Sequence, residues 1–197
     1  MKNIILVVFL ALGLSNCSKD EKNGALTENE SSDLKFLREE EKLARDVYMY
    51  AYNKYQVAIF DNIFKSEQKH MDAVLNILSK YEISDPASTE VGVFVNPELQ
   101  LTYNDLVSKV NISLTEALKV GATIEDLDIN DINAFISNTT KNDLLKVYGN
   151  LNCGSKNHIR SFTAELTNNG ITYVPQFISI ETYNSILSSP NESCGKN

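Results

Sequence analysis

The 197-residue chain carries 18 basic side chains against 26 acidic ones, a formal charge of −8, and no basic cluster interrupts that acidity, which excludes nucleic acid as an expected partner. Hydrophobic residues make up 43% of the chain, enough for one ample core without help from disulfides. It has neither a Gly-rich phosphate loop nor a Gly-x-Ser-x-Gly elbow, and its three cysteines are too few for a four-cysteine iron site.

Met1-Lys2-Asn3 is a short positive region, and Ile4 to Leu14 is an apolar run too short to span a bilayer as a stable helix. The run ends in Leu14-Ser15-Asn16-Cys17, which resembles the lipobox of bacterial lipoproteins. That resemblance implies a signal peptide over 1–16, cleavage before Cys17 and lipidation of the cysteine. The membrane is then a partner, and the address is the cell envelope, at the outer membrane or cell surface. Asp20 and Glu21, just behind Cys17, are similar to the export tag of some surface-exposed lipoproteins. The polar stretch over 17–32 reads as a flexible tether.

A first helix is predicted from Asp33 to Tyr55, with Ser32 or Asp33 as N-cap. Its apolar seam is Leu34, Leu37, Glu41, Ala44, Tyr48, Ala51 and Tyr55, so Glu41 occupies a core-facing slot. Glu39 and Glu40 lie off that seam, Glu40 near enough to its edge to stay in reserve. After a short link near Gln56–Ile59, a second helix places Phe60, Ile63, Glu67, His70, Val74, Ile77 and Tyr81 on its seam. Its Glu67-Gln68-Lys69-His70 puts a carboxylate and an imidazole on the buried face. Carboxylate bundles use that Glu-x-x-His spacing to hold two metal ions.

A long connection follows, about Glu82 to Ile112, with one short helical pattern around Tyr103 to Val110. Ser113-Leu114-Thr115-Glu116 reads as a capping box opening a third helix. That helix's face carries Leu114, Leu118, Gly121, Glu125, Asp128, Ile132 and Phe135. A short link at Ser137–Lys141 leads to a fourth helix, from about Asn142 to Leu166, with Leu144, Tyr148, Leu151, Ser155, His158 and Phe162 inward. Gly170 to Tyr173 and Ser179 to Leu187 suggest a turn and a short helix. The expected organisation is an all-α four-helix domain over 33–167 with one long crossover, and a tail over 168–197 packed on it.

Taken singly, these signals are weak. A lone histidine on an apolar face is usually a hydrogen-bonded core residue, and Glu39-Glu40-Glu41 alone reads as a solvated face. Their conjunction carries the weight: both histidines and three glutamates fall in slots defined by apolar neighbours. A buried carboxylate is costly without a partner, so a metal site is favoured over an inert polar network. The expected ligands are Glu41, Glu67, His70, Glu125 and His158. With Cys17 taken by lipid, an oxidising compartment lets Cys153 and Cys194 form a disulfide. Cys153 lies about 200° around its helix from the Ser155 slot, which makes it a poor metal ligand.

Glu41-Lys42-Leu43-Ala44-Arg45-Asp46-Val47-Tyr48 resembles the first-helix motif of rubrerythrin-type proteins, and Ser66-Glu67-Gln68-Lys69-His70 is similar to their second. Gly121-Ala122-Thr123-Ile124-Glu125 resembles the third and Ser155-Lys156-Asn157-His158 the fourth. From Leu37 to Leu166, with Gly92-Val93-Phe94 and Asn96-Pro97-Glu98-Leu99 between, the chain resembles a domain-of-unknown-function family of the ferritin-like superfamily. The resemblance implies a ferritin-like bundle with Glu41, Glu67 and His70 around one metal and Glu125 and His158 reaching toward a second. It departs from the pattern at Ser155, where a second Glu-x-x-His would have its glutamate, and at Ala122, where rubrerythrins carry an extra one.

The donor set suits Fe or Mn, with Zn allowed, at one or two ions per chain. A lipoprotein outside the inner membrane has no obvious NADH-driven electron supply. Donor-independent chemistry is therefore expected if there is catalysis: ferrous oxidation by oxygen, or peroxide disproportionation at Mn. The rival expectations are a non-enzymatic metal- or ligand-binding protein with a degenerate site holding no resident ion, and a polar core that only specifies the fold. The sequence leaves enzyme status undecided and allows a homodimer.

Overall fold

The computed structural model describes residues 24–195. Within them lie six helices, α1 (Glu28–Tyr55), α2 (Ala58–Lys80), α3 (Pro97–Val110), α4 (Leu114–Ser137), α5 (Asn142–Asn168) and α6 (Ile180–Ser188), and no strand. The signal-peptide and lipidation expectations, including Cys17, fall outside the described residues. No helix among those described is long and apolar enough to cross a membrane.

The first helix begins at Glu28, inside the stretch expected to be a tether. The cause is local: Thr27 accepts from the Glu30 amide at 3.1 Å while the Glu30 carboxylate accepts from the Thr27 amide at 2.8 Å. This reciprocal capping box satisfies two orphan donors, and Glu30 is held further by the Thr139 hydroxyl at 2.6 Å. The box expected at Ser113 is only half present. Ser113 accepts from the Glu116 amide at 3.1 Å, but the Glu116 carboxylate pairs with Lys119 at 2.8 Å. The crossover helix also starts earlier than its apolar pattern suggested. Asn96 caps it and Pro97 supplies a preset φ at its first turn.

Short links make α1–α2 and α4–α5 antiparallel pairs, which face each other through α1 against α4 and α2 against α5. The crossover is fastened to α1 from several directions. Glu39 accepts from the amides of Val95 and Asn96 at 2.7 and 3.0 Å, and Arg38 forks onto Asp85 at 3.0 and 2.8 Å. Lys42, fully buried, donates to Asp46 at 2.6 Å and to the Glu90 and Val93 carbonyls, and sits 4.2 Å above the Phe94 ring. Each charge is thus matched by an opposite charge or by backbone dipoles, as burial requires. Asp126 does the same for the tail, accepting from the amides of Gln176, Phe177 and Ile178 and from the Tyr173 hydroxyl.

The apolar interior comes in two parts. One cluster gathers Val47, Tyr48, Phe60, Ile159 and Phe162; the other holds Leu34, Leu37, Val74, Leu78, Ile132 and Leu144. Each fully buried large side chain contributes roughly 1.5–3 kcal/mol. Gly121 permits the close approach of α4 to α5, because a Cβ there would lie 2.4 Å from the Phe162 ring. Between the two clusters, at the level of Glu41, Glu67, Glu125 and His158, the seams turn polar.

Candidate metal centre

Four helices contribute to this polar layer: Glu41 from α1, Glu67 and His70 from α2, Glu125 from α4 and His158 from α5. Donor atoms of Glu41, Glu67 and His70 lie within 4.8 Å of one another, and so do those of Glu67, Glu125 and His158. Glu67 belongs to both triads. Its two oxygens diverge, Oε2 standing 2.8 Å from His70 Nδ1 and Oε1 2.8 Å from His158 Nδ1. Glu41 Oε2 closes the first triad at 3.2 Å from His70 Nδ1, and Glu125 Oε2 the second at 3.3 Å from His158 Nδ1. The imidazoles are stacked with centroids 5.6 Å apart. All five side chains are buried.

Within the cluster His70 Nδ1 and Glu41 Oε2 are hydrogen-bonded, but not every donor atom is satisfied. Glu41 Oε1, Glu67 Oε1 and His158 Nδ1 are buried and lack a hydrogen-bond partner, although Glu67 Oε1 and His158 Nδ1 are close enough to have one another. Atoms left this way each forfeit a desolvation penalty of about 1–3 kcal/mol. All three belong to residues of the two triads.

The outer contacts fix the donors. Tyr48 donates its hydroxyl to Glu125 Oε1 at 2.6 Å, and Ser66 Oγ lies 3.0 Å from His158 Nε2. Each leaves the opposite end of its partner turned to the triad, as ligand-orienting contacts do. Gly154 on α5 makes room for the other imidazole, since a Cβ there would lie 2.5 Å from His70 Nε2.

The electrostatics follow from packing acids and bases together away from water. Burial raises Glu41 to about 7 even though His70 beside it pulls the other way. Burial and the neighbouring Glu67 lift Glu125. Burial would also raise Glu67, but His158 and His70 outweigh it and hold this carboxylate far below its usual range. Against burial, Glu67 and Glu125 push His158 up to about 10, and Glu67 and Glu41 drive His70 well above its ordinary value. The centre holds protons tightly in the absence of a competing cation.

The model of the family described as "Uncharacterized protein domain (DUF2202)" matches residues 30–190. The chain belongs to the DUF2202 family. It is 51% identical over 168 residues to an uncharacterized protein, MJ0754, of Methanocaldococcus jannaschii, covering 85% of this chain and 91% of that relative. The crystal structure of the hypothetical protein MJ0754 from Methanococcus jannaschii superposes with a TM-score of 0.84 at 51% identity, over 85% of this chain and 96% of the other.

Three side chains of this DUF2202 domain acquire a place that the sequence reading did not give them. Glu39 and Glu40 are buried rather than solvated: Glu39 anchors the crossover, while both Glu40 carboxylate oxygens lack a partner. Glu40 stands outside both triads. Asp128, noted only as a seam position, is buried and in short hydrogen-bond contact with Ser155 Oγ. Cys153 and Cys194 are joined by a disulfide. The tail it fastens borders an open pocket of about 370 Å³ between α2 and α5, whose lining includes His70, His158, Gly154, Glu192 and Cys194. Through that pocket both imidazoles border solvent-accessible space.

Proposed function

We propose that this chain is a ferritin-like metal-binding protein, holding Fe or Mn, with Zn as a third candidate, at one or two positions per chain. The observation that carries this reading is the pair of triads sharing Glu67, in which Glu41 Oε1, Glu67 Oε1 and His158 Nδ1 are buried without a hydrogen-bond partner. A network that merely specified the fold would be expected to satisfy those atoms. Carboxylate and neutral imidazole together suit these divalent ions, and ligation would replace the protons that the site otherwise retains.

Glu41, Glu67 and His70 would hold one ion, and Glu67, Glu125 and His158 a second. Fe or Mn held there would supply redox chemistry toward oxygen or peroxide, which Zn would not. The chain's own residues do the rest. Tyr48 and Ser66 orient Glu125 and His158, the apolar clusters above and below exclude bulk water, and the pocket beside the imidazoles admits a molecule the size of peroxide. We infer donor-independent chemistry, oxidation of ferrous ion or disproportionation of peroxide. This suits a lipid-anchored envelope protein, the reading of the segment around Cys17. Ser155 favours a second reading, a non-enzymatic metal-binding protein, because it removes a carboxylate from the α5 seam.

Elemental analysis of the purified protein tests the proposal. It should contain one to two transition-metal ions per chain, and His70→Ala should lose most of them, because the first triad would keep no nitrogen donor. A protein that stays empty after loading with Fe, Mn and Zn overturns the metal reading. Metal without turnover of oxygen or peroxide leaves the non-enzymatic one.

A further inference from the structure

The two triads share Glu67 on one side only. The ferritin-like pattern has a second shared glutamate one turn before His158 on α5, and this chain has Ser155 there. The space is not left apolar. Asp128, one turn beyond Glu125 on α4, enters it and meets the Ser155 hydroxyl through Oδ2. Ser155 Oγ is also 3.1 Å from the Leu151 carbonyl on its own helix. A hydroxyl has one proton, so with Ser155 donating to Leu151 the carboxyl of Asp128 donates to Ser155, and the reverse when it does not.

Asp128 is only 5% exposed, and its other oxygen, Oδ1, has no hydrogen-bond partner. A carboxylate in that state is expensive in a core that has no use for it. The acidic neighbours that act on it most strongly are Glu41 from α1, then Glu125 from its own helix, then Glu67 from α2, so both triads are represented. Burial and these charges together raise its pKa well above the ordinary aspartate value. Few buried positions are less suited to an anion, unless a cation comes with it.

We propose that Asp128 is the second shared carboxylate of the centre, reaching from α4 into the space that a glutamate at 155 would fill. Ser155 is then a positioning residue that holds Oδ2 and leaves Oδ1 for metal. Aspartate is one methylene shorter than glutamate, and delivery from the neighbouring helix offsets the difference. This inference rests on the metal reading above. It deepens that reading by making the centre complete at two ions instead of degenerate at one.

The test is anaerobic titration of the full-length protein with Mn(II) and separately Fe(II), following stoichiometry calorimetrically and by elemental content. Wild type should take two ions per chain. Asp128→Asn should keep one and lose the other, or bind it at least about tenfold more weakly, which is the scale of one lost ligand contact. Ser155→Ala should retain two ions with a smaller change in affinity. Wild type taking only one ion, or Asp128→Asn taking two at unchanged affinity, overturns the proposal while leaving the metal reading intact. Wild type taking none overturns the metal reading itself.

Thermal unfolding in chelator checks that Asp128→Asn folds, and it should melt no lower than wild type because a buried acid has been removed. If it does not fold, the double variant Ser155→Glu with Asp128→Ala returns the carboxylate from α5. Two ions bound by that variant support the shared position, and one ion or none overturns it.

Discussion

Replacing Gly154 with alanine sets two known effects against each other at a single methyl group. Glycine inside a helix costs about 1 kcal/mol relative to alanine, so the substitution should stabilise α5 if nothing were nearby. Something is nearby. The added Cβ would lie 2.5 Å from His70 Nε2 and 2.7 Å from Cε1, about 1 Å closer than a comfortable heavy-atom contact. The ring has little freedom to yield, because its Nδ1 is held 2.8 Å from Glu67 and 3.2 Å from Glu41 and its face is stacked on His158. Overpacking of this kind costs about 1–3 kcal/mol, enough to cancel or exceed the helix gain. A displaced imidazole also leaves the first triad, so Mn(II) affinity should fall by about 10–100-fold. Gly149, exposed on the same helix with nothing within 4 Å of its missing Cβ, provides the control. Gly149→Ala should gain about 0.5–1 kcal/mol and bind metal as wild type does. Urea unfolding in chelator and calorimetric Mn(II) titration read both quantities. If Gly154→Ala is stabilised as much as Gly149→Ala and binds Mn(II) equally well, the packing of His70 against α5 is not what fixes the site.

Two further outcomes follow from the buried charges. The metal-free protein should become less stable as pH rises from about 5 to about 9. Glu41's contribution is complete below 4.5 and lost as pH climbs through about 7, and that of His158 is complete below 6.5 and lost toward about 10, because the folded state binds more protons in both cases. Mn(II) should flatten that dependence by displacing those protons, and a chelated protein whose melting temperature rises over the same range contradicts the assignment. Glu40→Met should stabilise the metal-free protein by about 1–3 kcal/mol, since both carboxylate oxygens are buried without partners among like charges from Asp128, Asp131 and Glu41. It should leave metal content unchanged; a loss of metal would make Glu40 a ligand.

The long helices and their inward faces were legible because a period of three and four is imposed by the helix itself. Leu34, Leu37, Val74, Ile132 and Phe162 had to lie inward, and Glu41, Glu67, Glu125 and His158 came with them. The start of α1 was missed because the stretch before Asp33 is polar all along. Polarity hid the Thr27–Glu30 capping box, a signal that was in plain sight three residues apart. Glu39 and Glu40 were misjudged for a different reason. They lie outside the apolar seam, and distant segments cover them: the crossover meets Glu39, a contact across 56 residues in the case of Val95, and Asp128 and Asp131 of α4 neighbour Glu40. Asp128 sat on the seam in view, one turn past Glu125, but its meaning depends on Ser155 from another helix. Gly154 carried no sequence signal at all, since its role is the space it leaves for His70.

The location of the centre bears on what the metal would do for the fold. The α1–α2 and α4–α5 pairs each have an extensive internal interface, and through Glu67 and His158 the polar layer also joins one pair to the other. Glu41, Glu67 and His70 come from the first pair, and Glu125, Asp128 and His158 from the second. Two imidazoles then face four carboxylates, so full ionisation of the acids leaves a net negative charge even with both rings protonated. Protons can neutralise the excess, but each proton neutralises one group and draws none toward another. A divalent ion neutralises two charges at once, and one at the second triad would be held by Glu67 from the first pair and by Glu125 and His158 from the second. A bound metal would be a clasp between the helix pairs, so that its removal should loosen α1 against α4 and α2 against α5 before either pair comes apart.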